Sequence, residues 1–310
     1  IDQYRQGRIF FAGDTAHMNS PTGGFGFNTG MQETHNLAWK MAYVLKGLAP
    51  ATLLDTYHSE RRPVAKFNVE KSSENAIALR DTGATFGGSA GDTDEIDLDT
   101  PRGRAQRDAC SRAVDAQKTH FLFLGQEIGY GYWDSPLIVA DGSKHYAEEH
   151  AIDDPVYIYV ANARPGARAP HCWVVRRESP EELVPMHDLF GRGFVLLTGE
   201  NGRDWGEGLA TAAGEIPVAI YAVGSGEGGS PELIDVQGKF SEYYGVDPAG
   251  AALVRPDGHV CWRASGSRSA YLEHCGGDAI LPAEAVEIAL GRRMDGATDG
   301  KRPQSTEARA

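Results

Sequence analysis

The chain opens on a short apolar run, Arg8-Ile9-Phe10-Phe11-Ala12, which breaks at Gly13-Asp14 into a glycine-rich loop. The pattern predicts a strand followed by a turn. Beyond the loop, Met31, Leu37, Met41, Val44 and Leu45 recur at mixed three- and four-residue intervals, the period of one helix face, and Gly47 is placed to stop that helix. Residues 50–57 open another helix, which Pro63 should interrupt because proline lacks the N–H and crowds the preceding turn; helical spacing resumes over 64–80. Residues 102–120 read as a further helix. Between them, residues 81–100 are rich in Gly, Asp, Ser and Thr and read as a mobile loop.

From residue 121 the pattern changes to short apolar runs separated by turns. Strands are expected at 137–140, 156–160, 172–175, 194–197, 218–223 and 253–255, with helices at 180–189, 205–213, 239–244 and 282–292. Asp257-Gly258 in RPDGHV marks a closing hairpin. The fold class is therefore α/β: a strand, glycine loop and helices over 1–120, a compact α/β sandwich over 121–295, and a polar, disordered tail over 296–310.

Composition narrows the function. The chain has 310 residues, 41% hydrophobic and 24% charged, ordinary values for a folded protein. A net charge of −13 repels phosphate backbones and anionic headgroups, so neither nucleic acid nor a membrane surface is an expected partner. No apolar run reaches the ~18–20 residues of a membrane span, and no basic-then-apolar leader is visible; a cytoplasmic protein is expected. The cysteines Cys110, Cys172, Cys261 and Cys275 lack CxxC spacing and are expected as reduced thiols; His171-Cys172 and His274-Cys275 lack zinc spacing. The acidic run Asp92–Asp99 lacks the glycine and terminal glutamate of an EF-hand and reads as a solvated face. Because a buried-looking strand starts within eight residues of Ile1, which is not a methionine, the chain is expected to be the later part of a longer polypeptide.

Glycine is the outlier, 38 residues or about 12% against a typical ~7%. Gly23, Gly24 and Gly26 stand just before the long helix. There they let the backbone approach a ligand, while the helix start offers free N–H groups and a positive dipole end. The phosphate-loop pattern GxxxxGK[ST] is absent and no lysine lies between Gly13 and Met31, so a ring with delocalised negative charge is the better fit.

This segment resembles the class A flavoprotein aromatic hydroxylases, the para-hydroxybenzoate, phenol and polyketide hydroxylase group. Gly7, Arg8, Ile9, Phe10, Gly13, Asp14, Ala16, His17, Pro21, Gly23, Gly24, Gly26, Asn28, Gly30, Asn36, Leu37, Trp39 and Lys40 match that family's second FAD motif. Thr15 and Glu33 depart from it, where alanine and aspartate are usual. The resemblance implies FAD as cofactor, with Asp14 at the ribityl chain, Pro21 beside the reacting face of the ring, the backbone N–H groups around Gly26, Phe27 and Asn28 at its pyrimidine edge, and Gly13, Gly23 and Gly24 also bringing backbone to the flavin. His17 reads as a packed structural residue.

The same resemblance implies an aromatic-ring monooxygenase that uses NAD(P)H and O2 through a C4a-hydroperoxide, acting on a phenolic or polycyclic substrate. It names no side-chain catalyst here. The family's first FAD motif should hold the ADP portion, yet the only GxGxxG, at 224–229, is followed at once by Pro231 and reads as a flexible loop. The missing FAD-binding part is thus expected upstream or on a second chain, and these residues alone should hold FAD weakly or not at all. PLIVADG, DLFGRGFVLLTG and VRPDGHVCWRA resemble the family's C-terminal thioredoxin-like domain, which without CxxC would be structural, covering the flavin domain or forming a homo-oligomer interface. Trp173 and Trp262 read as core. The open alternative is a non-catalytic thioredoxin-like interaction module carrying a vestigial flavin segment.

Overall fold

The computed structural model describes residues 1–85, 93–144, 146–149, 151–152, 154–227 and 229–293; the expected tail lies outside them. The N-terminal run is a small antiparallel hairpin, β1 (Arg5–Gln6) against β2 (Ile9–Phe10), turned by Gly7 at φ +60°. The predicted strand is thus shorter than its apolar run, since only Ile9 and Phe10 find a ladder partner among the described residues.

Helix α1 (Phe25–Leu45) forms as expected, but its buried face is not the apolar one. Phe25, Thr29, Glu33, Asn36, Lys40 and Tyr43 are buried at three- and four-residue spacing, whereas Met31 is 56% and Leu45 81% exposed. Helix α2 (Thr56–Thr85) runs through Pro63 without a break. Glu60 and Arg61 before the proline and Val64 and Ala65 after it are all buried, so tertiary packing on both sides outweighs the lost hydrogen bond. The helix also takes up the start of the expected 81–100 loop, whose residues 86–92 lie outside the described set. Helix α3 (Pro101–Asp115) follows, capped by the Thr100 hydroxyl, which accepts from the Gly103 N–H. Its Arg102 and Arg104 pair with Asp94 and Asp99 of the acidic run.

Two short helices, α4 (Leu124–Ile128) and α5 (Tyr146–Glu149), lead into the second half. There β3 (Trp173–Arg176), β4 (Ser179–Pro185), β5 (Phe194–Gly199), α6 (Leu209–Ala213), β6 (Val218–Gly224), β7 (Leu233–Asp235), α7 (Phe240–Tyr244), β8 (Ala251–Val254), β9 (Val260–Ala264), α8 (Arg268–Cys275) and α9 (Pro282–Ala289) build one mixed sheet and its covering helices. The strand order is β4-β3-β7-β6-β5-β8-β9; β6 is parallel to both β5 and β7, and the other pairs are antiparallel. Strand β5 is buried on both faces, Phe194 and Leu196 on one and Val195 and Leu197 on the other, none more than 1% exposed.

Several expected elements differ. Residues 180–189 form the edge strand β4 and a 3-10 turn instead of a helix; an edge tolerates Pro180, and Leu183 stays half exposed. The helix expected at 205–213 splits at Gly208, φ +74°, into a 3-10 turn and α6. Residues 137–140 and 156–160 are not strands; the former is held by the Val139 N–H donating to the Cys261 carbonyl and by the fully buried Leu137. Trp262 is core, but Trp173 is 36% exposed on β3. At 224–229 Gly224 ends β6 and the next described element is strand β7, so the strand-to-helix setting of a dinucleotide loop is absent there; residue 228 lies outside the described set.

The two halves share one core. Trp39 and Tyr43 of α1 pack their rings edge-on against Phe194 of β5 at 6.3 Å. Beside this contact the β8–β9 hairpin, turned by Gly258 at φ +77°, pushes Arg255 and Asp257 onto α1 and α2. Arg255 donates to both Glu60 oxygens at 2.6 and 3.0 Å and, through Nε, to Asp257 at 3.0 Å. Lys40 donates to Glu60 at 2.6 Å, Ser135 at 2.6 Å, and Asn36 to Glu60 and Asp257 at 2.8 and 3.1 Å. Two cations thus meet two carboxylates, all no more than 4% exposed. Burial by itself would raise the Glu60 pKa, but Arg255 and Lys40 outweigh it and hold the carboxyl far below its usual range. Burial pulls the Lys40 ammonium down to about 8 against the opposing charge of Glu60.

Removing one partner of a buried pair strands the other, a cost of ~3–5 kcal/mol. Arg255→Met should lower the unfolding free energy by about that amount in urea titration. Combining it with Glu60→Gln should cost clearly less than the sum of the two. A loss below about 1 kcal/mol for Arg255→Met would show that the cluster does not hold the halves together.

Candidate flavin site

Between β2 and α1 the chain comes close against the helix, and two glycines make the approach possible. Gly13, at φ +57°, starts a 3-10 turn (Gly13–Thr15) that lies against α1 at Gly30. A Cβ on Gly30 would sit 3.2 Å from the Gly13 Cα, so a side chain there would need the turn to give way slightly. The Thr15 hydroxyl donates to the Ala12 carbonyl at 2.7 Å, closing the turn.

Glu33 is what fixes this turn on the helix. One of its buried oxygens accepts the Gly13 N–H at 2.8 Å and the other pairs with His17 Nε2 at 3.0 Å, while His17 Nδ1 meets Asn19 at 2.9 Å. His17 is a packed structural residue, as its sequence setting suggested, and its pKa is raised chiefly by the hydrogen bond to Glu33. Sequence reasoning passed over Glu33 as a mild departure from the motif; a carboxylate one helical turn beyond Gly30, facing a histidine loop, was the available signal.

The expected site residues fall on two neighbouring surfaces. Gly13 and Asp14 lie on the turn; Asp14 is exposed, and its carboxylate accepts no hydrogen bond among the described residues. Gly24, Gly26, Phe27 and Asn28 lie at the start of α1, with Gly24 in the left-handed N-cap position at φ +70°. Pro21 is exposed, and its carbonyl accepts from Gly24 at 3.2 Å, while Gly23 packs on Phe25 and Asn75. Ser20 and Thr22 anchor the loop to Ser72 of α2.

Three features make this helix start fit an electron-rich ring. No side chain caps it, the first turn carries no acid, and a Cβ on Gly24 would meet nothing within 4 Å. The first-turn N–H groups that a helix cannot satisfy internally therefore meet no capping side chain. Phe27, 78% exposed, flanks that start, and Met18, 82% exposed, lies on the preceding loop. Asn28 turns one amide N–H back to the Gly24 carbonyl at 2.9 Å.

Because the folded pKa of His17 is raised, the stabilisation it gives is complete below its ordinary value near 6.5 and is lost as pH rises through the folded value. Glu33→Gln should therefore cost more thermal stability near pH 6 than near pH 8.5, and should bring the His17 titration followed by NMR back toward the ordinary value. An equal cost at both pH values would contradict the pairing.

Residues 1–72 match the FAD binding domain family and residues 162–279 the aromatic-ring hydroxylase C-terminal family. The chain is 39% identical over 267 residues to 4-methyl-5-nitrocatechol 5-monooxygenase of a Burkholderia species, covering 85% of this chain and 41% of that protein. It is 33% identical over 276 residues to phenol 2-monooxygenase of Pseudomonas sp. (strain EST1001), covering 85% and 44%. Among solved structures, the flavin-dependent monooxygenase PieE in complex with FAD and substrate superposes with TM-score 0.80 at 34% identity, over 94% of this chain and 48% of that one. The chain spans less than half the length of the curated relatives it matches. With both family segments matched and relatives aligned across most of its length, the chain belongs to the FAD-dependent aromatic-ring hydroxylases.

Proposed function

We propose that this chain forms part of a monooxygenase that uses FAD, NAD(P)H and O2 to hydroxylate a phenolic or polycyclic aromatic substrate. The observation that carries the reading is an uncapped, acid-free helix start on the same helix that holds the turn of the exposed Asp14, whose carboxylate accepts no hydrogen bond among the described residues. In this reading the Asp14 carboxylate accepts from a ribityl hydroxyl. Backbone N–H groups of Gly26, Phe27 and Asn28 donate to the pyrimidine edge, and the helix dipole stabilises negative charge there without a cation. Pro21 walls the ring, and the exposed Phe27 and Met18 belong to a face that further protein covers to exclude water. When bound, FAD supplies the redox chemistry, taking hydride from NAD(P)H and delivering one atom of O2 to the aromatic ring.

The division into residues 1–120 and 121–295, the latter thioredoxin-like around β6-β5-β8-β9, belongs to the same proposal. A structural role for that unit is supported by its thiols: burial pushes Cys172 and Cys261 up to about 12, far from the reactive range. Among the described residues no helix is long and apolar enough to cross a membrane. The sheet packing of α1 through Trp39 favours the enzyme over a free interaction module, because it fixes the flavin-facing helix in place.

The test is FAD affinity in the holoenzyme that contains this chain. A charge-assisted hydrogen bond contributes about 1.5–3 kcal/mol, so Asp14→Ala should raise the FAD Kd by an order of magnitude or more in a fluorescence-quenching titration. Unchanged affinity would remove Asp14 from the site.

A further inference from the structure

A cleft of about 360 Å³ opens between α2, α4 and the segments at 129–133 and 155–156, and no residue of the flavin loop lines it. Its walls carry three rings, Phe67, Tyr130 and Trp133, and its floor two amides, Asn68 and Gln126. Its size lies within the ~300–1,000 Å³ of small-molecule sites.

Two of the rings, Trp133 and Tyr130, are held in place before any ligand arrives. A Cβ on Gly131 would lie 2.4 Å from the Trp133 ring and one on Gly166 2.9 Å, so both glycines are needed for the indole to lie flat, and the Arg164 guanidinium covers it at 5.0 Å. Tyr130 is faced by the buried Arg61 at 5.2 Å. Such walls suit a planar aromatic.

The floor adds a polar requirement. Asn68 and Gln126 are each 7% exposed. Gln126 donates to the Asn68 carbonyl oxygen at 2.8 Å, Asn68 donates to the Thr29 hydroxyl at 2.9 Å, and Thr29 donates to the Phe25 carbonyl at 2.7 Å. The Gln126 carbonyl oxygen accepts no described hydrogen bond, and Asn68 has a second amide hydrogen to give. One acceptor and one donor match a hydroxyl group. The relay ends on the first turn of α1, the turn whose N–H groups face the flavin in the reading above.

We propose that this cleft is a second small-molecule site, one that binds a hydroxylated mono- or bicyclic aromatic and acts as an effector of the flavin-facing turn. The binding stands on the chain alone; the effector role rests on the flavin reading.

The experiment is an NMR titration of the ¹⁵N-labelled protein with 2-naphthol, with cyclohexanol as a non-planar control. Saturable shifts are expected at the side-chain amides of Asn68 and Gln126 and at the backbone of Gly125, Gly129 and Gly131, carried on to Thr29 and Phe25. Val156→Trp, which fills the cleft, should abolish them. Phe67→Ala, at a position 40% exposed and so safe for folding, should weaken binding by about an order of magnitude. Shifts confined to other surfaces, equal binding of cyclohexanol, or unchanged affinity in both variants would overturn the site. Shifts at the cleft that stop short of Thr29 and Phe25 would overturn the effector role. Loss of FAD binding by the holoenzyme would instead count against the flavin reading and leave the naphthol titration standing.

Discussion

Everything else in this structure depends on Glu60 being shared. A single buried carboxylate on α2 takes hydrogen bonds from Arg255 on the hairpin turn, Lys40 and Asn36 on α1, and Ser135 in the connection between the halves. Such a group can be ionised away from water only if every lone pair is met, and here four elements must be in register to meet them. Asp257 balances the second cation, so the cluster is neutral as a whole and the interior is spared a net charge. Packing of Trp39 on Phe194 supplies the apolar driving force alongside, while the charges specify which arrangement is reached.

Helix α1 carries that constraint from the core to the surface. At 21 residues it is roughly 32 Å long. Its middle and C-terminal parts are clamped through Asn36, Trp39, Lys40 and Tyr43, and its N-terminal part through Glu33, which ties down the Gly13 turn. Its first turn has neither a side-chain cap nor an acid. A helix held so firmly further along can present its dipole and N–H groups at a fixed position, which is what electrostatic stabilisation of a flavin requires.

Much of this was legible in the sequence, and the parts that were not share a cause. The glycine loop, α1, β5, β6 and the Asp257-Gly258 hairpin follow from local rules, namely helical period, short apolar runs and turn chemistry. Pro63 misled because the break it imposes locally is overruled by burial of Glu60 and Arg61 on one side and Ala65 on the other. Residues 180–189 misled because pairing with β3 decides their state and pairing partners are invisible to a local pattern. The apolar count also pointed to the wrong face of α1, since that helix buries Glu33, Asn36 and Lys40. Asn36 and Lys40 were seen as motif positions, but Glu60 lies 20 residues from Lys40, Asp257 lies 221 from Asn36, and Arg255 lies 195 from Glu60, so the charge cluster could only emerge from the fold.

The central claim is that the start of α1 stabilises negative charge on a bound flavin, and the flavin midpoint potential of the holoenzyme measures this directly. Phe27 is exposed in the first turn, so Phe27→Asp and the neutral Phe27→Asn can be compared at nearly equal shape. An acid there favours the helix dipole by ~0.3–1 kcal/mol but opposes the reduced ring, so the potential should fall by some 10–20 mV or more relative to Phe27→Asn. Equal potentials in the two variants, with the helix intact, would contradict the account.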